Sequence, residues 1–421
     1  MNRLVLIGNG FDLAHGLKTS YAHFINWYWD QRVAGFIHVN GYVSTDLLCT
    51  FEEISEDRMY WSVRYQYCFQ HLLHPLKGEE KATGKDIIDA IIEAKDIFKV
   101  TFSPFFERII KSIETKGWVD IENEYYELLK EFALKEDSEE KTKELNAHLH
   151  FLQEKLIEYL NEINAQEVTM NSSIRTLIYA PFVREDISIE GLNALEEHIK
   201  NGLKLDQREC DLKLRQYDSM CYTKGRVDDY KKEYGEEKID WENVPIELLL
   251  PNQIMLLSFN YTQTASLYCK DASIFQVNQI HGKLDEPGSV IFGYGDELDE
   301  KYKKLLDKND NTCLANIKSI KYLEADNYRR MLSFIEAEPF QVIVMGHSCG
   351  NSDRTLLNTL FEHKNCVSIK PYYYKKGDGW DNYLSTVQNI SRNFTDMKLM
   401  RDRVVNKTYC KPLPQAAEDN E

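Results

Sequence analysis

Leu4-Val5-Leu6-Ile7-Gly8-Asn9-Gly10-Phe11-Asp12 is the stretch from which the fold is read. Four apolar residues in an unbroken run, closed by Gly8-Asn9-Gly10, read as a buried strand entering a tight loop. Glycines at such a turn let the backbone bend sharply and approach a phosphate with no Cβ in the way. The full dinucleotide fingerprint is incomplete, because Leu13 stands where a third glycine is expected. On these residues alone, a tight strand-to-helix turn with Asp12 bonding local amides is an equally good reading. Thr19 or Ser20 is placed to cap an aromatic-rich helix running to about Gln31.

Further along, the period becomes helical. Ile87, Ile88, Ile91 and Ile92, then Phe105, Phe106, Ile109, Ile110 and Ile113, recur at helical spacing, as do Trp61, Tyr65, Phe69 and Leu72. Leu145, Leu149, Leu152, Leu156, Leu160 and Ile163 mark a long helix with one apolar stripe. Ser103-Pro104 supplies a cap and a first-turn proline, and the Lys/Glu run over 135–144 reads as a solvated face or loop. After Pro245, short apolar runs alternate with turn residues, predicting strands at Ile254–Phe259, Ile274–Ile280, Val290–Phe292, Val342–Met345 and Cys366–Ile369. Joined to the first strand, they give an α/β fold: a Rossmann-like, mostly parallel sheet split by a large all-helical insertion. The expected units are 1–55 plus 245–410 for the split α/β nucleotide-binding domain, 56–244 for the helical insertion and 411–421 for a flexible tail.

Composition narrows the function classes. At 421 residues, the chain exceeds a single small domain, and 43% hydrophobic with 28% charged residues is a globular balance. With 68 acidic against 51 basic side chains, the net charge of −17 repels phosphate backbones, which disfavours nucleic-acid partners and a nuclease. Nine cysteines contain no C-x-x-C pair, so the thiols read as reduced and no structural zinc is expected. The four apolar residues after Met-Asn-Arg are too few for a signal-peptide core, and no run approaches 18 apolar residues. The expected location is the cytoplasm, without a membrane.

Residues carrying chemistry cluster at the ends of the predicted strands, where open parallel sheets bind ligands. Ser258-Phe259-Asn260-Tyr261-Thr262 brings an amide that can donate and accept, although Asn260 or Thr262 could equally cap a following helix. Ile280-His281-Gly282 puts an imidazole beside a glycine that leaves room for a ligand; satisfied packing is the competing role of His281. Gly346-His347-Ser348-Cys349-Gly350 matches the G-x-S-x-G nucleophile elbow. That hydrolase order requires an acid and then a histidine, yet His363 is the only later histidine, and Asp353 lies too close to it in sequence for the usual triad. A metal cluster of Asp12, His15, His281, His347 and Asp353 has no supporting local spacing, so no metal is expected.

Leu6 to Leu17, with Thr19-Ser20-Tyr21 and Phe24, resembles the opening of the AbiH family of bacterial phage abortive-infection proteins. Trp118-Val119-Asp120-Ile121-Glu122, Phe259-Asn260-Tyr261-Thr262, Ile280-His281-Gly282, Phe292-Gly293 and Gly346-His347-Ser348 with Asp353 follow in the same order. The same blocks are similar, more distantly, to sirtuin-like NAD-binding domains. That similarity implies an NAD pocket, with Asn260 and His281 as the catalytic pair. Gly8, Asn9, Gly10, Phe11, Asp12, Thr262, Gly282, Gly346, His347, Ser348 and Asp353 would line the cofactor site. Phe11-Asp12 departs from the small residues usual in sirtuin loops. The lack of a four-cysteine zinc module argues against deacetylation, which leaves NAD cleavage without an acyl-lysine partner.

Breaking the nicotinamide–ribose bond develops oxocarbenium charge, so groups that hold the ribose and a water on the correct face are needed. Asn260 would position water or a ribose hydroxyl, and His281, neutral near pH 7, would accept a proton, a contribution of roughly 10²–10⁴ in rate. The amides of Gly8 to Gly10 would take the pyrophosphate. The leading expectation is therefore a cytoplasmic antiphage NAD hydrolase. The alternative is a non-enzymatic nucleotide or ADP-ribose sensor signalling through its helical insertion. The expected partner is a small-molecule nucleotide, with room for a phage-derived protein trigger and for a homo-oligomer.

Overall fold

A computed structural model describes residues 1–37, 43–54, 83–116, 119–133, 138–217, 227–269, 274–286 and 288–416. Trp61, Tyr65, Phe69, Leu72 and Trp118 lie outside the described residues. The chain opens with β1 (Asn2–Ile7). It then forms β2 (Val43–Thr45), β3 (Cys49–Glu53) and β4 (Phe98–Phe102), which pair antiparallel in the order β2-β3-β4. β5 (Ile254–Ser258), β6 (Phe275–Gln279), β7 (Phe340–Met345) and β8 (Cys366–Tyr372) join β1 in a parallel sheet of order β6-β5-β1-β7-β8. The fold is thus mixed α/β with a parallel five-stranded sheet, as the apolar runs predict.

Why β1 sits at the centre follows from its side chains. Leu4 and Leu6 face one apolar layer with Met255, Leu257, Val342 and Val344, under the helices Asn327–Ala337 and Arg354–Phe361. Val5 and Ile7 face the opposite layer with Leu256, Ile343, Phe11, Ile174 and Ile178. Both faces are covered, so every residue of β1 is buried, which is what an unbroken apolar run encodes. Register then sets the site: Ile7 lies opposite Ser258 of β5 and Met345 of β7, and Ser258 opposite Gln279 of β6. Four strands end level, and the loops that leave them emerge along one edge where the strand order reverses.

Between β1 and β5 the long helix Ser138–Asn164 buries Leu145, Leu149, Leu152, Leu156, Leu160 and Ile163 in a second core with Phe24, Tyr28, Phe105 and Tyr125. The reading of 56–244 as all-helical needs correction. Phe98-Lys99-Val100-Thr101-Phe102 alternates inward and outward as β4 and pairs with β3. Ser20 Oγ accepts from His23 N–H at 3.2 Å, and the helix it caps runs to Ile37 rather than Gln31. Ser103 Oγ similarly accepts from Phe106 N–H at 3.3 Å.

Two further expectations fail. Val290–Phe292 forms no strand: Ile291 N–H reaches His281 O at 2.8 Å, and Phe292 packs into the helical core instead of a ladder. Residues 411–416, read as flexible, are held down. Leu413 N–H donates to Tyr373 O and Ala416 N–H to Ala14 O, each at 2.8 Å. Among the described residues all seven cysteines are free thiols, and no helix is long and apolar enough to cross a membrane.

Candidate functional site

The glycine turn after β1 is built against the turn after β7. Gly10 N–H donates to Gly346 O at 2.8 Å and Gly8 N–H to Met345 O at 3.3 Å. A Cβ on Gly10 would lie 2.9 Å from Gly346 Cα, and one on Gly8 would lie 2.5 Å from His347 Cα. Gly346, at φ +72, has no space for a side chain, since its Cβ would meet Phe11 N at 2.1 Å. These glycines therefore serve backbone-to-backbone contact. Of the three amides expected to hold a pyrophosphate, two are already donated to protein carbonyls.

A cleft of about 1440 Å³ opens along the sheet edge, and Gly8, Asn9, Gly10, Asn260, His281, Gly346, His347, Ser348 and Asp353 all line it. Phe11, Asp12, Thr262 and Gly282 do not. Phe11 is fully buried in the layer under β1. Asp12, also buried, accepts a 2.6 Å bond from Thr262 Oγ1. Burial pushes the Asp12 carboxyl up to about 6 against the pull of Thr262, Thr264 and Asn260. Gly282, at φ +83, lies where a Cβ would strike Ser289 O. His15 bonds Phe11 O and Tyr268 OH, away from the other residues of the imagined metal set.

The cleft floor is an acid–base cluster. His281 Nε2 lies 3.2 Å from Asp353 Oδ1 and 3.2 Å from Tyr322 OH. Lys318 Nζ donates to Asp353 Oδ1 and Glu122 Oε2, both at 2.8 Å. Burial would raise Asp353, but the Lys318 charge and His281 hold its carboxyl well below the usual carboxylate range. Glu122 goes the other way: burial, with the charges of Asp353 and Asp120, outweighs Lys318 and raises it to about 7. Burial would lower Lys318, and the two carboxylates lift it above the ordinary lysine value. His281 is lowered by burial and then by the Lys318 charge, so it is neutral near pH 7. With Nε2–H facing Asp353, Nδ1 is left as the acceptor, and it makes no hydrogen bond among the described residues.

His347 has a fixed tautomer. Its Nδ1 accepts from Cys349 N–H at 3.0 Å, so Nε2 carries the proton, 3.7 Å from Asp353 Oδ2. Phe259 separates the imidazoles, its ring centroid 4.0 Å from His347 and 5.3 Å from His281. Asn260 Nδ2 donates to Gly8 O at 3.0 Å, leaving its oxygen as an acceptor. Tyr21 and Tyr261 also line the cleft, and burial followed by the Glu122 charge keeps both phenols protonated. Asp120, which caps the helix Ile121–Ala133 through Asn123 N–H at 3.0 Å, is raised by burial.

The serine-hydrolase alternative does not assemble. His363 bonds Glu336 and packs on Phe340 at the start of β7, whereas Ser348 follows its end. The strained non-glycine residue of that turn is Cys349, at φ +52. Among the described residues no group of three His, Cys, Asp or Glu side chains is arranged to hold a metal ion.

Sequence reasoning missed Lys318, Glu122, Asp120, Tyr21 and Tyr261 as cleft or floor residues. Asp120, Glu122, Tyr21 and Tyr261 stand inside the quoted blocks, which was the available signal. Lys318 carries no local pattern, and its carboxylate partners lie 196 and 35 residues away.

A family model described as bacteriophage abortive infection AbiH matches residues 4–374. The chain belongs to the AbiH family. No curated protein and no solved structure matches it.

Proposed function

From membership of a phage abortive-infection family as premise, we propose that the chain defends by hydrolysing NAD at its nicotinamide–ribose bond. The observation that supports this most is the neutral His281 held 3.2 Å from ionised Asp353, on the floor of the cleft that also receives Asn260. NAD suits such a floor. Its pyridinium leaving group departs neutral, so the reaction needs a base and stabilisation of positive charge, with no acid on the leaving side. Ionised Asp353, 3.2 Å from the His281 imidazole, favours a cationic sugar over an anion there.

The oxygen of Asn260 accepts from a ribose hydroxyl or from the attacking water. That water bonds to the ribose C1′ as the C1′–N bond breaks, and the bonding pair goes to the pyridinium nitrogen. His281 Nδ1 takes the water proton, and Asp353 stabilises the resulting imidazolium. The products are nicotinamide and ADP-ribose.

The test is incubation of the purified chain with NAD, alone and with cells' phage lysate as activator, alongside His281→Ala and Asn260→Ala. Expected is release of nicotinamide that falls about 10²–10⁴-fold in His281→Ala. Intact NAD under both conditions would overturn the hydrolase reading. One observation favours a second reading, a nucleotide sensor: Tyr21, Asp120 and Glu122 bring the helical region to the cleft wall, so a ligand there touches both cores. Tight NAD binding by calorimetry, with no turnover and with phage defence surviving His281→Ala, would select it.

A further inference from the structure

We infer that the segment Tyr373–Asn382, and not the glycine turn after β1, is the subsite for the diphosphate of the nucleotide. The inference rests on the NAD reading above and assigns one part of that ligand to one part of the cleft. The Gly8 and Gly10 amides are spent on Met345 and Gly346 carbonyls. The floor holds ionised Asp353, and two phosphate charges beside it would be repelled. The diphosphate therefore lies away from both, and the lining offers one place for it.

Among the lining side chains the lysines are Lys375 and Lys376, both on this segment. It leaves the end of β8 and folds back as a hairpin. The backbones of Lys375 and Asp381 form an antiparallel β-bridge, Lys376 N–H donates to Trp380 O at 2.8 Å, and Asn382 N–H donates to Tyr374 O at 3.1 Å. Lys376 Nζ stands 5.5 Å from the Trp380 ring centroid. Of the nearby acids, Asp381 is ion-paired, and Asp378 has no ion-pair partner among the described residues. Asp381 takes Lys407 at 2.7 Å, and Asp378, at the hairpin tip and in the lining, accepts from Trp380 N–H at 2.9 Å. Neither Lys375 nor Lys376 has a carboxylate within ion-pair distance among the described residues. In a chain of net charge −17, Lys375 and Lys376, with Asp378 beside them in the lining, give this stretch of the cleft a local excess of positive charge. Lysine binds phosphate as a point charge, which needs no fixed fork geometry.

The experiment is calorimetric titration of ADP-ribose into the full chain, into Lys375→Gln/Lys376→Gln, and into Lys364→Gln as a charge control, at low and high salt. Expected is an about tenfold weaker Kd in the double variant, with a flatter salt dependence, and a control within twofold of the parent. Equal Kd values in parent and double variant, or no ADP-ribose binding by the parent, would overturn the subsite. Turnover separates the two readings. Lysine-dependent ADP-ribose binding without NAD cleavage sinks the hydrolase and upholds the subsite. Cleavage with an unchanged KM for NAD in the double variant does the reverse.

Discussion

Asp12 and Asp353 are buried at the same edge of the same sheet, at 1% and 7% exposure, yet they are driven in opposite directions. Asp12 meets hydroxyls and an amide, and burial wins, raising it to about 6. Asp353 meets Lys318 and His281, and those charges win, holding it well below the ordinary range. The first is a tie between the β1 and β5 loops, the second a permanent anion under the cleft. Similar burial thus gives a carboxyl that loses its proton only as pH rises through about 6 in one place and a permanently charged one in the other, and the partner decides which.

The largest test removes the deciding partner. Lys318→Met leaves Asp353 and Glu122 uncompensated, and the expected loss is about 3–5 kcal/mol in urea unfolding at pH 8. A loss below about 1 kcal/mol would mean that the Asp353 charge is held by something else, and the contrast with Asp12 would dissolve. Next comes the pH dependence of stability. Asp12 holds its proton more tightly folded than unfolded, so its contribution is complete below the unfolded value of 3.8 and is lost as pH rises through about 6. This amounts to on the order of 3 kcal/mol between acid and neutral pH. Comparing urea midpoints of the parent and Asp12→Asn from pH 4 to 8 should show that slope in the parent and a flatter curve in the variant. Parallel curves would put Asp12 in the ordinary range. The smallest effect is expected from Thr262→Val, which removes the 2.6 Å bond to Asp12. It should cost about 1–2 kcal/mol and move the parent's pH-dependent loss to higher pH.

How far the sequence reached follows the range of the interactions. The apolar runs at Leu4–Ile7 and Ile254–Ser258 are local signals, and parallel pairing in register then carries Gly8, Asn260, His281 and Gly346 to one edge. Those four were legible because each lies within two residues of a strand end. β4 was not, because its five residues sit between two helical stripes and their alternation is short. Val290–Phe292 misled because an apolar run records burial, and here Ile291 is buried against the sheet layer and Phe292 in the core of the long helix, with no ladder between them. Asp12 lies outside the cleft lining because the turn spends its polar groups on joining loops, which no motif spacing reveals. Lys318 was out of reach altogether, since its meaning lies in partners supplied by distant segments.

That lysine has a mechanical consequence. Glu122 belongs to the first turn of the helix Ile121–Ala133, and Asp353 precedes the first turn of Arg354–Phe361, so one ammonium rivets two helix starts from separate cores. A rivet does not yield gradually: contacts of 2.8 Å are lost once the joint opens by about an ångström. Any pull on the first helix would be felt at the imidazole of His281 as an abrupt change in its neighbour's load, with no need for the histidine itself to move.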